Sequence, residues 1–290
     1  MASGYAPRVV LALAAALLLS AGPLPGRLAA LLTAAGEAPA GGPRAAAASA
    51  PLLGTRYRLG PLGEGRGPDP DPRFRLDAFD CVTFVETAVA LGAGSSEDEV
   101  RRALDDIRYG RAIDIADRDH EVLSQWIPRN VEKGWIRPIS RELAGDATFE
   151  VASVYDRDRW AQLARRGHGL HGVPAPQLPV GRFATEVVPT ASVGAVEPRL
   201  PDGAVIWVVR AERPDQVTRI THGGLVVVKK GRRWIRHASA SPNVMRVVEE
   251  PLAGFVEHQR RASSRPLVGL AVFAVPDNRA RLAILPPLAP

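Results

Sequence analysis

Hydrophobic positions recur with helical spacing in the first half of the chain and with strand spacing in the last third. In "DCVTFVETAVAL", Val82, Val85, Ala88 and Val89 fall on one face, and Phe84 and Leu91 widen it. Asp80 precedes this run and suits an N-cap, so the segment predicts a buried helix opening at Cys81. "SSEDEVRRALDDIRYG" begins with serines and acidic residues and closes at Gly110, which predicts a second, more exposed helix. "EVLSQWIPRNVEKGW" predicts a third, interrupted at Pro128. Beyond Leu200 the pattern changes. "GAVIWVVRA", "THGGLVVVKKG", "RRWIRHAS" and "LVGLAVFAV" are short runs rich in β-branched and aromatic residues, with "KKGRRW" as a hairpin connection. Helices first and antiparallel strands later predict an α+β domain, and no internal repeat is present.

Two stretches carry little periodicity. "YRLGPLGEGRGPDPDPRF" is a Gly/Pro/Asp-rich loop. Residues 141–200 hold one helical segment, "RDRWAQLARR", followed by a Pro/Gly-rich passage. At the other end, Arg8 precedes an apolar run from Val9 to Leu19 and then small residues, which is the layout of a secretory signal. That run is shorter than the roughly 20 residues a spanning helix needs, although an uncleaved anchor is the alternative. The expected organisation is a signal peptide or anchor over 1–22, an Ala/Gly/Pro-rich flexible leader over 23–51, and a single domain over 52–290.

Composition narrows the partners. Hydrophobic residues are 46% of the chain, enough for a large core, and the formal net charge is +6. The basic residues are dispersed without a long run, which argues against a nucleic-acid interface and leaves an anionic envelope polymer as a suitable partner.

Cys81 is the only cysteine, so no internal disulfide forms. At a helix start, unpaired N–H groups and the helix dipole favour a thiolate, while the adjacent Asp80 opposes it. On local grounds Cys81 is either a nucleophile or a small buried hydrophobe. A nucleophile needs a base and a group that orients the base. Of six histidines, His222 enters an apolar strand and His237 ends the next one, so a hairpin brings them to one end of a sheet. His168 and His171, in "HGLH", read as loop residues rather than metal ligands, and neither a metal nor a cofactor is expected.

Together, "YRLGPLGEG", "FDCVTFVETAVAL" and "THGGLVVVKKGRRWIRHAS" resemble the NlpC-type papain-like cysteine peptidases and amidases of bacterial cell walls. More narrowly they resemble the N-acetylmuramoyl-L-alanine amidase-like branch, which "DRDHEVLSQWIPRN", with His120 and Trp126, also resembles in type. The resemblance implies a papain-like fold, with N-terminal helices packed on a C-terminal antiparallel sheet. The long separation of Cys81 from His222 implies an inserted lobe, at about 110–200, between the cysteine helix and the sheet. The resemblance further implies hydrolysis of a peptidoglycan or muropeptide amide, foremost the muramoyl–L-alanine bond, and the secretory layout of the N-terminus places the protein as exported, in the periplasm or cell envelope. Cys81 would be the nucleophile, His222 the base and His237 its orienting group. Tyr57 would border the pocket, and Asp80 would meet a substrate amine. A stem-peptide endopeptidase with the same triad, or a silent peptidoglycan-binding module, are the alternatives.

Overall fold

In the computed structural model, which describes residues 24–165, 170, 172–213 and 216–288, Asp80 starts the helix around which the site is built. Its extended backbone places the carboxylate to accept from the Thr83 N–H at 2.8 Å, and the Asp80 N–H donates to Thr83 Oγ1 at 3.0 Å. This capping box opens the helix Cys81–Ala93, whose residues Thr83–Ala93 are all buried.

Two helices precede it: α1 (Leu24–Ala35) and α2 (Gly42–Ala48). Cys81–Ala93 is therefore α3, and α4 (Glu97–Arg108) follows, capped by Ser96 as its sequence predicts. The region expected to be a flexible leader thus carries two packed helices. Leu28, Leu31, Ala35, Ala45, Ala46 and Ala48 are buried in the main core. Alanine is the strongest helix former, and small side chains let backbones approach closely. A Cβ on Gly92 would stand only 2.8 Å from the Gly41 carbonyl oxygen. The buried Arg236 guanidinium fastens α2 to the sheet, donating to the Ala46 carbonyl and to Ser49 Oγ, each at 2.6 Å.

The strands are β1 (Arg56–Tyr57), β2 (Ala78–Phe79), β3 (Arg137–Pro138), β4 (Phe149–Tyr155), β5 (Gly181–Pro189), β6 (Val205–Arg210), β7 (Ile220–Lys229), β8 (Arg232–Ser239), β9 (Arg246–Pro251) and β10 (Leu267–Ala274). They form one sheet in the order β2-β1-β9-β8-β7-β6-β10-β5-β4, with β3 also on β10. The β1–β2 pair is parallel, so the sheet is mixed rather than purely antiparallel. The segment from about 110 to 200 is woven into the sheet instead of forming only a lobe beside it. β4 pairs with β5, which pairs with β10.

Alternation along the strands feeds two cores. Trp207, Val209, Leu225 and Val227 join α3, whereas Ile206, Val208 and Val226 join Phe255 of a later helix. Trp126 reaches the first core, its ring edge-on to Trp207 at 5.1 Å between centroids. The interruption expected at Pro128 is absent: a π-helical turn over Val122–Trp126 runs straight into the helix Ile127–Glu132. Pro128 sits in that helix's first turn, where its missing N–H is tolerated. "RDRWAQLARR" forms α5 (Arg157–Arg165), and α6 (Leu252–Arg261) carries Phe255. No helix among the described residues is long and apolar enough to cross a membrane. The apolar run Val9–Leu19, and with it the expected signal, lies outside the described residues, as do His168 and His171.

The loop between β1 and β2 is ordered by buried charge. Arg108 of α4 pairs with Glu86 of α3 at 2.5 Å, both side chains being at most 5% exposed. Arg108 and Arg118 both donate to the Leu62 carbonyl at 3.2 Å, and Arg118 pairs with Glu64 and Asp69. Tyr109 Oη donates to Glu64 at 2.9 Å. These contacts give a Gly/Pro-rich stretch the partners its own backbone lacks, while pairing of Tyr57 with Phe79 and the Gly60 N–H bond to Asp80 hold the start of the loop near α3.

Candidate active site

Cys81 is the first residue of α3 and keeps part of its surface open to solvent. Its sulfur faces three backbone N–H groups, those of Gly223, Cys81 and Val82. Gly223 follows His222 directly, so β7 brings its histidine to the thiol's end of α3. Only glycine fits there, because a Cβ would lie 2.2 Å from the Trp207 ring.

The histidines meet as the hairpin predicts. His222 Nε2 and His237 Nδ1 are 2.8 Å apart, with rings 4.9 Å between centroids and nearly perpendicular. His237 is only 1% exposed. Its Nε2 lies 2.9 Å from Glu250 Oε1, and His258 Nδ1 lies 3.3 Å from the same oxygen. Register explains why Glu250 arrives there: His237 is paired with Val248, so Glu250 is its diagonal neighbour on one face. Glu249 points the other way and accepts from Arg236 Nε at 2.7 Å.

Sequence reasoning does not single out Glu250 or His258. The available clue was a glutamate two residues from the position that pairs with His237, visible only once register is known.

The thiol and the imidazole are joined by no side-chain hydrogen bond in this structure: Cys81 meets the Gly223 backbone beside His222, while His222, His237 and Glu250 form a hydrogen-bonded chain. A pocket of about 500 Å³ opens on the imidazole side, lined by Thr221, His222, His237, Ser239, His258 and Gln259 among others. Cys81 is not in its wall.

Electrostatics correct one expectation. Burial, and then the Asp80 charge, push the Cys81 thiol up to about 12, outweighing the three N–H donors. This balance favours a neutral resting thiol over a thiolate. Burial, followed by His237, His258 and Arg210, holds His222 well below the usual imidazole range, so it is a neutral base at pH 7. Alkylation of Cys81 by iodoacetamide is accordingly expected to accelerate about tenfold per pH unit from pH 7 to 10. A rate already on a plateau at pH 7 would contradict a protonated resting thiol.

Asp80 does not point an open carboxylate at the pocket. Oδ1 accepts from the Thr83 N–H and hydroxyl, and Oδ2 accepts from the Gly60 N–H at 2.9 Å. These bonds give Asp80 a structural role in capping α3 and tying down the β1 loop. Tyr57 stands beside both residues. Burial, then Cys81 and Asp80, push its phenol pKa up. His120 is structural: its Nε2–H donates to the Ile115 carbonyl at 2.6 Å, and burial drives its pKa down to about 4. No group of three or more His, Cys, Asp or Glu among the described residues is arranged to hold a metal.

Solved structures share this fold at low sequence identity. A Legionella pneumophila protein of the DUF1460 family superposes with a TM-score of 0.66 at 19% identity, over 94% of this chain and 97% of its own. An N-acetylmuramoyl-L-alanine amidase from Bacteroides uniformis gives 0.60 at 20% identity, over 78% of this chain and 94% of its own. Comparison with curated proteins returns no match. The model of the AmiA-like, N-acetylmuramoyl-L-alanine amidase-like family matches residues 47–262, well over half of the sequence, and the chain belongs to that family.

Proposed function

We propose that this protein is an exported cysteine amidase of peptidoglycan, with a papain-like site that cleaves the bond between the muramoyl lactyl group and L-alanine. Family membership supports the peptidoglycan amide as substrate. The observation that carries the mechanism is Cys81 at a helix start against Gly223, one residue from an imidazole pair 2.8 Å apart. The apolar run Val9–Leu19 supports export, and the +6 net charge suits a wall polymer whose stem peptides carry carboxylates.

In this mechanism the substrate carbonyl lies over Cys81. The sulfur attacks the carbonyl carbon while His222 takes the thiol proton, so no preformed thiolate is needed. The N–H groups of Cys81 and Val82 then face the developing oxyanion. The imidazolium gives its proton to the departing alanine nitrogen, leaving a thioester between Cys81 and the lactyl carbonyl. Water, deprotonated by His222, hydrolyses that thioester and restores the thiol. Tyr57 walls the site beside the sulfur.

The engagement of both Asp80 oxygens favours the muramoyl–L-alanine bond over one inside the stem. The residue expected to hold a free stem-peptide amine already accepts three hydrogen bonds within the chain. Digestion of purified muropeptides, followed by mass spectrometry, tests this. Free peptides beginning with L-alanine, together with peptide-free muramoyl sugars, are the expected products. Sugars retaining L-Ala-D-Glu would instead identify a stem endopeptidase, and unchanged muropeptides a binding module.

A further inference from the structure

We propose that Glu250 is a positioning residue which, through His237, sets the tautomer of His222 and so determines which imidazole nitrogen is free to serve as base. This rests on the reading of Cys81 and His222 as nucleophile and base, and it extends that pair by two residues.

Hydrogen-bond capacity fixes the two tautomers. A carboxylate only accepts, so the 2.9 Å contact between Glu250 Oε1 and His237 Nε2 requires the proton on Nε2. A neutral His237 then has a bare Nδ1, which can only accept. The 2.8 Å contact from that Nδ1 to His222 Nε2 therefore requires the proton on His222 Nε2. A neutral His222 protonated at Nε2 presents an unprotonated Nδ1, the form a base needs. Removing Glu250 frees His237 to carry its proton on Nδ1. His222 Nε2 would then have to accept, its Nδ1 would hold the proton, and the base would be lost without any change in the nucleophile.

Burial makes the arrangement effective. His237 is 1% exposed while the Glu250 side chain is 23% exposed, so the carboxylate orients an imidazole that is itself out of solvent. Burial raises the Glu250 pKa, but hydrogen bonds from His237 and His258 reverse this, and the net shift is downward, keeping the carboxylate ionised. The charged and titratable groups around the pair are Glu250 from β9, His258 from α6, Arg210 from β6 and Cys81 from α3. His258 shares the same Glu250 oxygen at the longer distance of 3.3 Å and is more exposed, so it supports the carboxylate without displacing His237.

Two measurements test the proposal. In the first, Glu250→Ala is expected to lower kcat by about 10- to 100-fold with KM nearly unchanged, as loss of an orienting group does. Glu250→Gln, whose amide oxygen still accepts from His237 Nε2–H, is expected to recover much of that loss. In both variants the acid limb of the kcat/KM profile is expected at lower pH, because an imidazolium has lost its nearby anion. A Glu250→Ala enzyme with unaltered kcat and pH limb would overturn the proposal, as would equal losses in the two variants.

The second measurement needs no activity. Long-range ¹H–¹⁵N spectra of the wild-type full chain are expected to show His222 and His237 both protonated at Nε2 at pH 7.5. A proton on His237 Nδ1 would overturn the proposal even if either variant failed to fold. If instead the Nε2 tautomers were found and Cys81→Ala retained activity, the tautomer assignment would stand and the thiol mechanism would fail.

Discussion

Cys81→Ala is expected to reduce amide cleavage in muropeptides by roughly 10⁴-fold or more in kcat, with little change in melting temperature. The effect is large because the sulfur forms the covalent bond, and no other thiol exists in the chain to replace it. Nearby oxygen nucleophiles do not substitute, since Thr83 Oγ1 is bonded within the capping box. The fold is spared because Cys81 is the first residue of α3 and its neighbours Asp80 and Thr83 form the cap without it. Cys81→Ser separates chemistry from packing. A hydroxyl preserves volume but loses nucleophilicity, and here it starts from a site that already disfavours an anion. If Cys81→Ala kept activity within tenfold of wild type, attack by the thiol would be excluded.

Glu86→Ala is expected to destabilise the protein by roughly 3–5 kcal/mol, lowering its melting temperature by about 10 °C. Arg108 would remain at the centre of the fold with its 2.5 Å partner removed. The Leu62 carbonyl at 3.2 Å and the Tyr109 ring at 5.7 Å also contact Arg108, but neither neutralises a charge. The damage should spread to the β1–β2 loop, since Leu62 and Glu64 are held by Arg108, Arg118 and Tyr109. Tyr57 sits at the head of that loop, so residual activity at low temperature should show a raised KM. The double change Glu86→Leu with Arg108→Met is expected to be markedly milder, because no charge is left unpaired. Thermal unfolding of the two variants side by side checks this. A Glu86→Ala loss below about 1 kcal/mol would mean that water reaches the Arg108 site.

The elements that position the thiol could be read from the sequence because local signals and burial agree there. Asp80 and Ser96 cap as their types predict, and the apolar stripe of α3 lies in the core. His222 and His237 were placed together by a tight turn between two strands, whose register fixes their side chains. Other features depend on partners that a linear reading does not show. In α1 the spacing of Leu24, Leu28, Leu31 and Leu32 is masked by an Ala/Gly/Pro-rich setting, α2 packs by the closeness of alanine rather than by size, and Arg236 is 190 positions from the Ala46 carbonyl it binds. In β4, Val151, Ser153 and Tyr155 turn inward while Val154 is 58% exposed, so its burial does not follow its hydrophobicity. Cys81 shows the same limit in its chemistry. The helix start argues for a thiolate, but three N–H donors do not overcome burial and the Asp80 charge. Glu250 was hidden because its role depends on the register of β8 against β9.

The most direct test is the mass of the Cys81-containing peptide after a muropeptide reaction is quenched in acid within one turnover. The mechanism predicts a thioester that adds the muramoyl sugar acyl group to Cys81 and carries no amino acid, appearing before free stem peptide reaches its steady rate. An adduct retaining L-Ala-D-Glu would move the cut into the stem. A burst of product with Cys81 unmodified would contradict covalent catalysis by the thiol.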